Sequence, residues 1–163
     1  MPRKPHAIDA KDLEIIRLLV RDGRMPCSEI ARRIPGLTGR AVRYRIDRLI
    51  ERGVIQVRAI VSPERVGFPI KADVWVEVDP GRIVEVTEQL ARLRQVTYAG
   101  YSTGDRDVII QIVARDIDDF YTLLTQVIGK LPGVRRTTTY IIPRVVKDVF
   151  DWFPEEEGEP RGS

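Results

Sequence analysis

The chain has 163 residues, 43% of them hydrophobic and 31% charged, which fits one ordinary globular domain or two small ones. One cysteine, Cys27, excludes an internal disulfide and any thiolate cluster, and one histidine, His6, leaves zinc chemistry and histidine acid–base catalysis almost without material. The net charge of +3 hides a split, because residues 1–62 carry 14 Lys and Arg against 7 Asp and Glu while the remainder is net acidic; either both halves are solvated surface or the basic half faces a polyanion.

Residues 1–7 read as a leader, and without an apolar core they are no secretion signal. No run approaches the roughly 18 apolar residues of a membrane span, so a cytoplasmic location and no membrane partner are expected. Asp9 can cap a first helix reaching about Arg21, with Asp12 three residues on as a short capping-box partner. Leu13, Ile16 and Val20, flanked by Ile15 and Leu19, supply its apolar face, and Asp22-Gly23 closes it.

Pro26 opens a second, short helix, which the tight Pro35-Gly36 turn separates from a third, capped by Thr38. In the third helix Val42, Ile46, Leu49 and Ile50 form one buried stripe at i, i+4, i+7, i+8 spacing. At about 100° per residue, Arg40 and Tyr44 fall opposite that stripe, with Arg43 and Arg45 on its flanks. Asp47 and Glu51 also point outward, nearer the C-terminal end, and would repel phosphate. Only the first two turns can therefore face nucleic acid, which is how the recognition helix of a helix-turn-helix docks. Thr38 and the backbone amides at the helix start suit phosphate, and Arg40 and Arg43 suit the guanine O6/N7 edge. Tyr44 suits a thymine methyl or a sugar, and Arg45 and Arg48 complete the expected DNA-binding set. The competing reading has these arginines solvated or paired with Asp47 and Glu51.

After Gly53 the period changes. Val54 to Val61 is a strand-like run, expected as a wing or linker strand, and Glu64 to Pro69 a turn at the boundary. Ile70 to Asp79 alternates, with Ala72, Val74, Val76 and Val78 on one face and Trp75 on the other. A helix from Arg82 to Leu93, strands over 96–102 and 107–113, a helix over 117–129 and a strand over 134–142 follow. The order is β-α-β-β-α-β, a ferredoxin-like unit. The expected class is thus α+β, with a winged-helix-like helix-turn-helix domain over 1–53, a connecting strand and turn over 54–69, the βαββαβ domain over 70–149 and a tail over 150–163. A solvated acidic end, Glu155-Glu156-Glu157, closes the tail. Trp75, Tyr98 and Tyr140 on the open sheet face, together with the Val149–Phe153 segment, either pack within one chain or join copies of it.

These pieces, in this order, resemble the Lrp/AsnC family of feast/famine transcription regulators. The resemblance runs from about Ile8 to Val149. It rests on Ile8-Asp9, Asp22-Gly23-Arg24, Glu29-Ile30-Ala31, the L-T-x-x-A-V-R-x-R-I-x-x-L run from Leu37 to Leu49, and Gly53-Val54-Ile55. In the second half it rests on Thr103-Gly104-Asp105-Arg106-Asp107 and on Leu131-Pro132-Gly133-Val134 before a threonine-rich strand. Two features depart from the family pattern: Ile34-Pro35-Gly36 is one residue longer at the turn, and Arg106 stands where relatives often carry an aromatic residue.

The resemblance implies a RAM/ACT-like second domain, binding to double-stranded DNA, and homodimers that assemble into octamers or discs. It also implies an amino-acid effector at the β2–β3 turn, where that turn meets a neighbouring subunit. There the backbone amides of Ser102, Thr103 and Gly104, beside Tyr101, would hold a carboxylate, glycine permitting close approach, and Asp107 and Asp105 an ammonium. The alternatives are a ligand-independent architectural DNA-binding protein, for which Gly104-Asp105 is only a hairpin turn, and a siroheme-decarboxylase-like enzyme, for which the histidines are missing. No catalytic residue, metal or cofactor is expected.

Overall fold

The structure, a computed structural model, describes residues 8–152. The leader with His6, Phe153 and the acidic Glu155-Glu156-Glu157 end lie outside the described residues. The chain divides into two compact units, one running to Ile60 and taking up the residues from Lys147 onward, the other Val61–Val146. Among the described residues no helix is long and apolar enough to cross a membrane.

Three helices build the first unit: α1 (Ala10–Arg21), α2 (Cys27–Arg33) and α3 (Gly39–Glu51). The start of α1 follows the local code closely. Asp9 Oδ1 accepts from the Asp12 amide at 2.8 Å, and Asp12 Oδ2 accepts from the Asp9 amide at 3.4 Å, a reciprocal cap. Pro26 is the residue before α2, not its first helical residue. The turn into α3 is closed by Leu37 N donating to Ile34 O at 3.4 Å. Pro35 and Gly36 occupy its centre, and Gly36 has φ +75°, which glycine adopts at little cost.

Ile15, Ile30, Ile34 and Val42 form a small core, with Leu18, Leu19, Ala31, Leu37 and Ile46 packed against it. Leu49 is buried as the stripe requires, but Ile50, one position further round, is 43% exposed. Residues 54–61 form no strand: among the described residues no strand pairs with them, and strand-like side chains alone cannot satisfy backbone hydrogen bonds.

A four-stranded antiparallel sheet and two helices build the second unit. Its elements are β1 (Ile70–Val78), α4 (Ile83–Ala91), β2 (Val96–Tyr101), β3 (Val108–Ala114), α5 (Ile117–Thr122) and β4 (Val134–Ile141). Beyond Thr122, α5 widens into a π-helical turn (Leu123–Val127) and ends in a 3₁₀ turn (Ile128–Lys130). The strand order β2-β3-β1-β4 is that of the ferredoxin-like unit. Ala72, Val74, Val76 and Val78 of β1 and Val108, Ile110, Ile112 and Ala114 of β3 face Val86 and Leu90 of α4 and Phe120, Leu123 and Ile128 of the second helix. Asp116 caps α5 by accepting from the Asp119 amide at 2.7 Å. The opposite face of the sheet carries Tyr98 and Tyr140, both exposed, with Trp75 half-buried between β3 and β4. Phe150 and Trp152 near the chain end are exposed as well.

Candidate nucleic-acid interface and ligand site

Thr38 Oγ1 accepts from the Ala41 amide at 3.2 Å and sets the first turn of α3. Gly39, the first helical residue, lies 3.6 Å from the Ser28 backbone where a Cβ would stand, so the N-termini of α2 and α3 are close. Arg40, Arg43 and Tyr44 then project from α3 into solvent. Their side chains make no hydrogen bond or ion pair with the described residues.

Arg45 and Arg48 behave otherwise. Arg45 Nη1 is 2.7 Å from Asp9 Oδ2 and 2.7 Å from Asp12 Oδ1, and Arg48 Nη2 is 3.1 Å from Asp12 Oδ2. The Asp12 side chain is 1% exposed, so both arginines neutralise a carboxylate held away from water. The hydrogen bond from Arg45, then the Asp12 amide, holds the Asp9 carboxyl below its ordinary range. The same contacts, Asp9 first and then Asp12, raise Arg45. The reason is geometric. Arg45 and Arg48 sit three residues apart on the flank of α3, and their stems reach across to the start of α1, where the capping box has gathered two acids. These ion pairs compete with their expected place in the DNA-facing set. The acceptors are Asp9 and Asp12 of α1; among the described residues Asp47 and Glu51, on the same helix, take no part. On α2, Arg33 pairs with Glu29 at 2.5 Å while Arg32 projects outward.

Sequence reasoning read Asp12 as a cap alone. The signal it passed over was a pair of arginines at i, i+3 on the flank of a helix that must pack against an acidic helix start.

The second unit carries the turn between β2 and β3. Ser102 N donates to Asp107 O at 2.9 Å within the hairpin, and Asp107 N donates across to Val76 O of β1 at 3.2 Å, so both amides are committed to the sheet. Asp107 Oδ2 accepts from the Val78 amide at 2.8 Å, beside the β-bulge where β1 shifts register against β4. One oxygen of the Asp107 carboxylate is thus engaged by the backbone, because a bulge frees an amide that needs an acceptor, and this competes with its expected ammonium-holding role. The amide of Ser102 is likewise committed.

The amides of Thr103 and Gly104, the Asp105 carboxylate and the exposed Tyr101 ring carry no such bonds to the backbone among the described residues. The Asp105 side chain is 92% exposed and sits 3.7 Å from Arg106 Nε. Nothing lies within 4 Å of a Cβ built on Gly104, so its value is its φ of +149° and not a close approach to a neighbour. Arg106 itself folds back onto Glu77 of β1, which Arg135 of β4 approaches to 3.7 Å. An aromatic residue at 106 could not make that ion pair.

Two family models match these two units. The AsnC-type helix-turn-helix domain covers residues 8–50 and the Lrp/AsnC ligand binding domain residues 71–150. An HTH-type transcriptional regulator of Pyrococcus abyssi is 37% identical over 141 residues, which are 86% of this chain and 89% of that protein. Among solved structures, Escherichia coli AsnC superposes with a TM-score of 0.81 at 23% identity, covering 89% of this chain and 99% of that one. A transcriptional regulator of Neisseria meningitidis in complex with L-Met gives a TM-score of 0.79 at 21% identity, covering 87% and 94%. The three-helix unit with its arginine-bearing third helix and the β2-β3-β1-β4 sheet, together with these matches, make the chain a transcription regulator of the Lrp/AsnC family.

Proposed function

We propose that the protein binds specific double-stranded DNA as a cytoplasmic homo-oligomer, reading it through Thr38, Arg40, Arg43 and Tyr44. An amino-acid-type effector at the β2–β3 turn modulates its oligomeric state or DNA affinity. The observation that carries the DNA reading is the division of labour on α3. Arg45 and Arg48 are bound to Asp9 and Asp12, whereas Arg40 and Arg43 remain exposed on the first turns without acidic partners among the described residues. Exposed guanidinium groups at a helix N-terminus attract phosphate and can read guanine. One recognition helix covers only a few base pairs, so two copies would bind half-sites about one helical turn apart. The exposed Tyr98 and Tyr140 on the open sheet face offer a surface for pairing copies, and the family resemblance favours dimers assembled into octamers.

For the effector, the groups open to a ligand at the turn are the Thr103 and Gly104 amides for a carboxylate and, for an ammonium, the exposed Asp105 carboxylate, which has only Arg106 at 3.7 Å beside it. The L-Met complex of the Neisseria meningitidis regulator favours an amino acid of some kind. A ligand-independent, architectural role is the second reading, and it is favoured by the engagement of Ser102 within the hairpin and of Asp107 with β1.

The test is binding of the full chain to its own promoter DNA at two salt concentrations, with and without a panel of amino acids. Salt-steep, sequence-specific binding altered by one amino acid supports the regulator with an effector. Specific binding indifferent to the whole panel moves the protein to the architectural reading. Binding no tighter than to random DNA overturns both.

A further inference from the structure

β2 and β3 have a second end, away from the Tyr101–Asp107 turn. There a cavity of about 480 Å3 opens, lined by Phe68, Arg94, Gln95, Val113, Arg115 and Asp119. Gln95 directly precedes β2, Arg115 directly follows β3, and Phe68 lies just before β1. Six residues of strand at about 3.3 Å each separate the cavity from the turn by roughly 20 Å. Its volume lies within the range of about 300–1,000 Å3 found for small-molecule sites.

The lining combines apolar Phe68 and Val113 with cationic Arg94 and Arg115. Val113 is 7% exposed although it points away from the main core, and Phe68 is half-buried. The two carboxylate oxygens of the lining's single acid are already in use. Asp119 Oδ2 accepts from the Arg115 amide at 3.0 Å and from Arg115 Nε at 3.3 Å, and Oδ1 accepts from Arg115 Nη2 at 3.3 Å. Arg94 has no ion-pair partner among the described residues, and the Gln95 carboxamide makes no side-chain hydrogen bond. Two guanidinium groups against one carboxylate leave the wall with one net positive charge.

From this lining we propose a second ligand site, separate from the β2–β3 turn, for a monocarboxylate with a short apolar body and no ammonium group, such as a branched 2-oxo acid. The carboxylate pairs with Arg94, whose charge is otherwise unanswered. The Gln95 amide donates to the 2-oxo oxygen, and the apolar body covers Val113 and Phe68. An α-amino acid of the same skeleton fits worse, because its ammonium meets a net positive wall whose single carboxylate is held by Arg115. The site depends on neither the DNA reading nor the turn reading.

The test is calorimetric titration of the full chain, without DNA, using 4-methyl-2-oxopentanoate and, in parallel, leucine. Wild type, Arg94→Ala and the turn variant Asp105→Ala are compared after thermal melts have shown that all three fold. Arg94 is exposed and unpaired, so its removal leaves folding intact. The expected result is saturable binding of the 2-oxo acid that Arg94→Ala weakens about tenfold or more, as loss of a charge-assisted contact does. Asp105→Ala leaves that binding unchanged, and leucine binds through Arg94 at least about tenfold more weakly. No saturable binding up to about 10 mM, where contacts of this kind should register, overturns the site. Binding insensitive to Arg94→Ala, or lost with Asp105→Ala, overturns its location, and equal Arg94-dependent affinity for leucine overturns the ligand class.

Discussion

Arg45 of the recognition helix lies 2.7 Å from the carboxylate of Asp12, a residue five positions into the described chain whose side chain is 1% exposed. The contact ties the azimuth of α3 to α1. Arg48 closes on the second Asp12 oxygen at 3.1 Å, so the same aspartate that caps one helix also orients another. Two of the arginines in the expected DNA-facing set are held by the scaffold's acids.

Asp12→Asn should therefore destabilise the first unit by about 2–4 kcal/mol, since it leaves two partly buried guanidinium groups facing a neutral amide. Urea denaturation followed by circular dichroism measures this. Asp47→Asn, at an exposed position, is the control and should change stability by no more than about 0.5 kcal/mol. Similar midpoints for the two variants would mean that the Asp12 cluster does not hold the helices.

Acid should weaken the same region through Asp9. Its folded pKa is depressed below the ordinary 3.8, chiefly by the Arg45 hydrogen bond. A depressed carboxylate contributes stability that is fully present above its unfolded pKa and is lost as pH falls through the folded one. The expected window is thus below 3.8. Melting temperatures taken across this acid range should fall less steeply in Asp9→Asn than in the wild type. Because Asp9 is half exposed, solvent screens the pair and the effect is small. Parallel curves for the two proteins would remove Asp9 from the acid response.

Arg40→Ala and Arg43→Ala should each reduce the slope of log affinity against log salt by about 1 and leave the unfolding midpoint almost unchanged. Arg45→Ala should do the reverse, lowering the midpoint with a slope close to wild type. DNA titrations over a range of salt, paired with melts, separate the two classes. A loss of slope with Arg45→Ala equal to that of Arg40→Ala would return Arg45 to the DNA-facing set.

Asp107→Ala should expose the Val78 amide at the β1 bulge, because Asp107 Oδ2 is its acceptor at 2.8 Å. The expected cost is about 1–2 kcal/mol, that of a part-buried donor left without a partner. Hydrogen exchange at Val78 should accelerate, and unchanged protection there would contradict the role. Effector binding at the turn that survives this substitution, after allowance for stability, would point to the turn amides and Asp105 rather than Asp107.

Much of the architecture was legible in local patterns. The capping box at Asp9 and Asp12, the Thr38 cap and the Pro35-Gly36 turn are set by residues within four positions of one another, so short-range hydrogen bonding decides them. The alternation of Ala72, Val74, Val76 and Val78 appears as burial on one sheet face, because a strand turns successive side chains to opposite sides. Strand propensity misled at 54–61, where the pattern is present and a ladder partner is not.

From the sequence alone follow the two units, the basic recognition helix, the β-α-β-β-α-β order and the family resemblance, since each depends on period, capping or motif order along the chain. The tertiary structure alone decided which arginines remain free and which carboxylates are spent. Arg45 and Asp12 are 33 residues apart and Asp107 and Val78 29, and only packing brings such charges and amides within 3 Å. The assignment of a polar side chain to scaffold or site is settled by the nearest partner in space, which residue spacing along the chain does not encode.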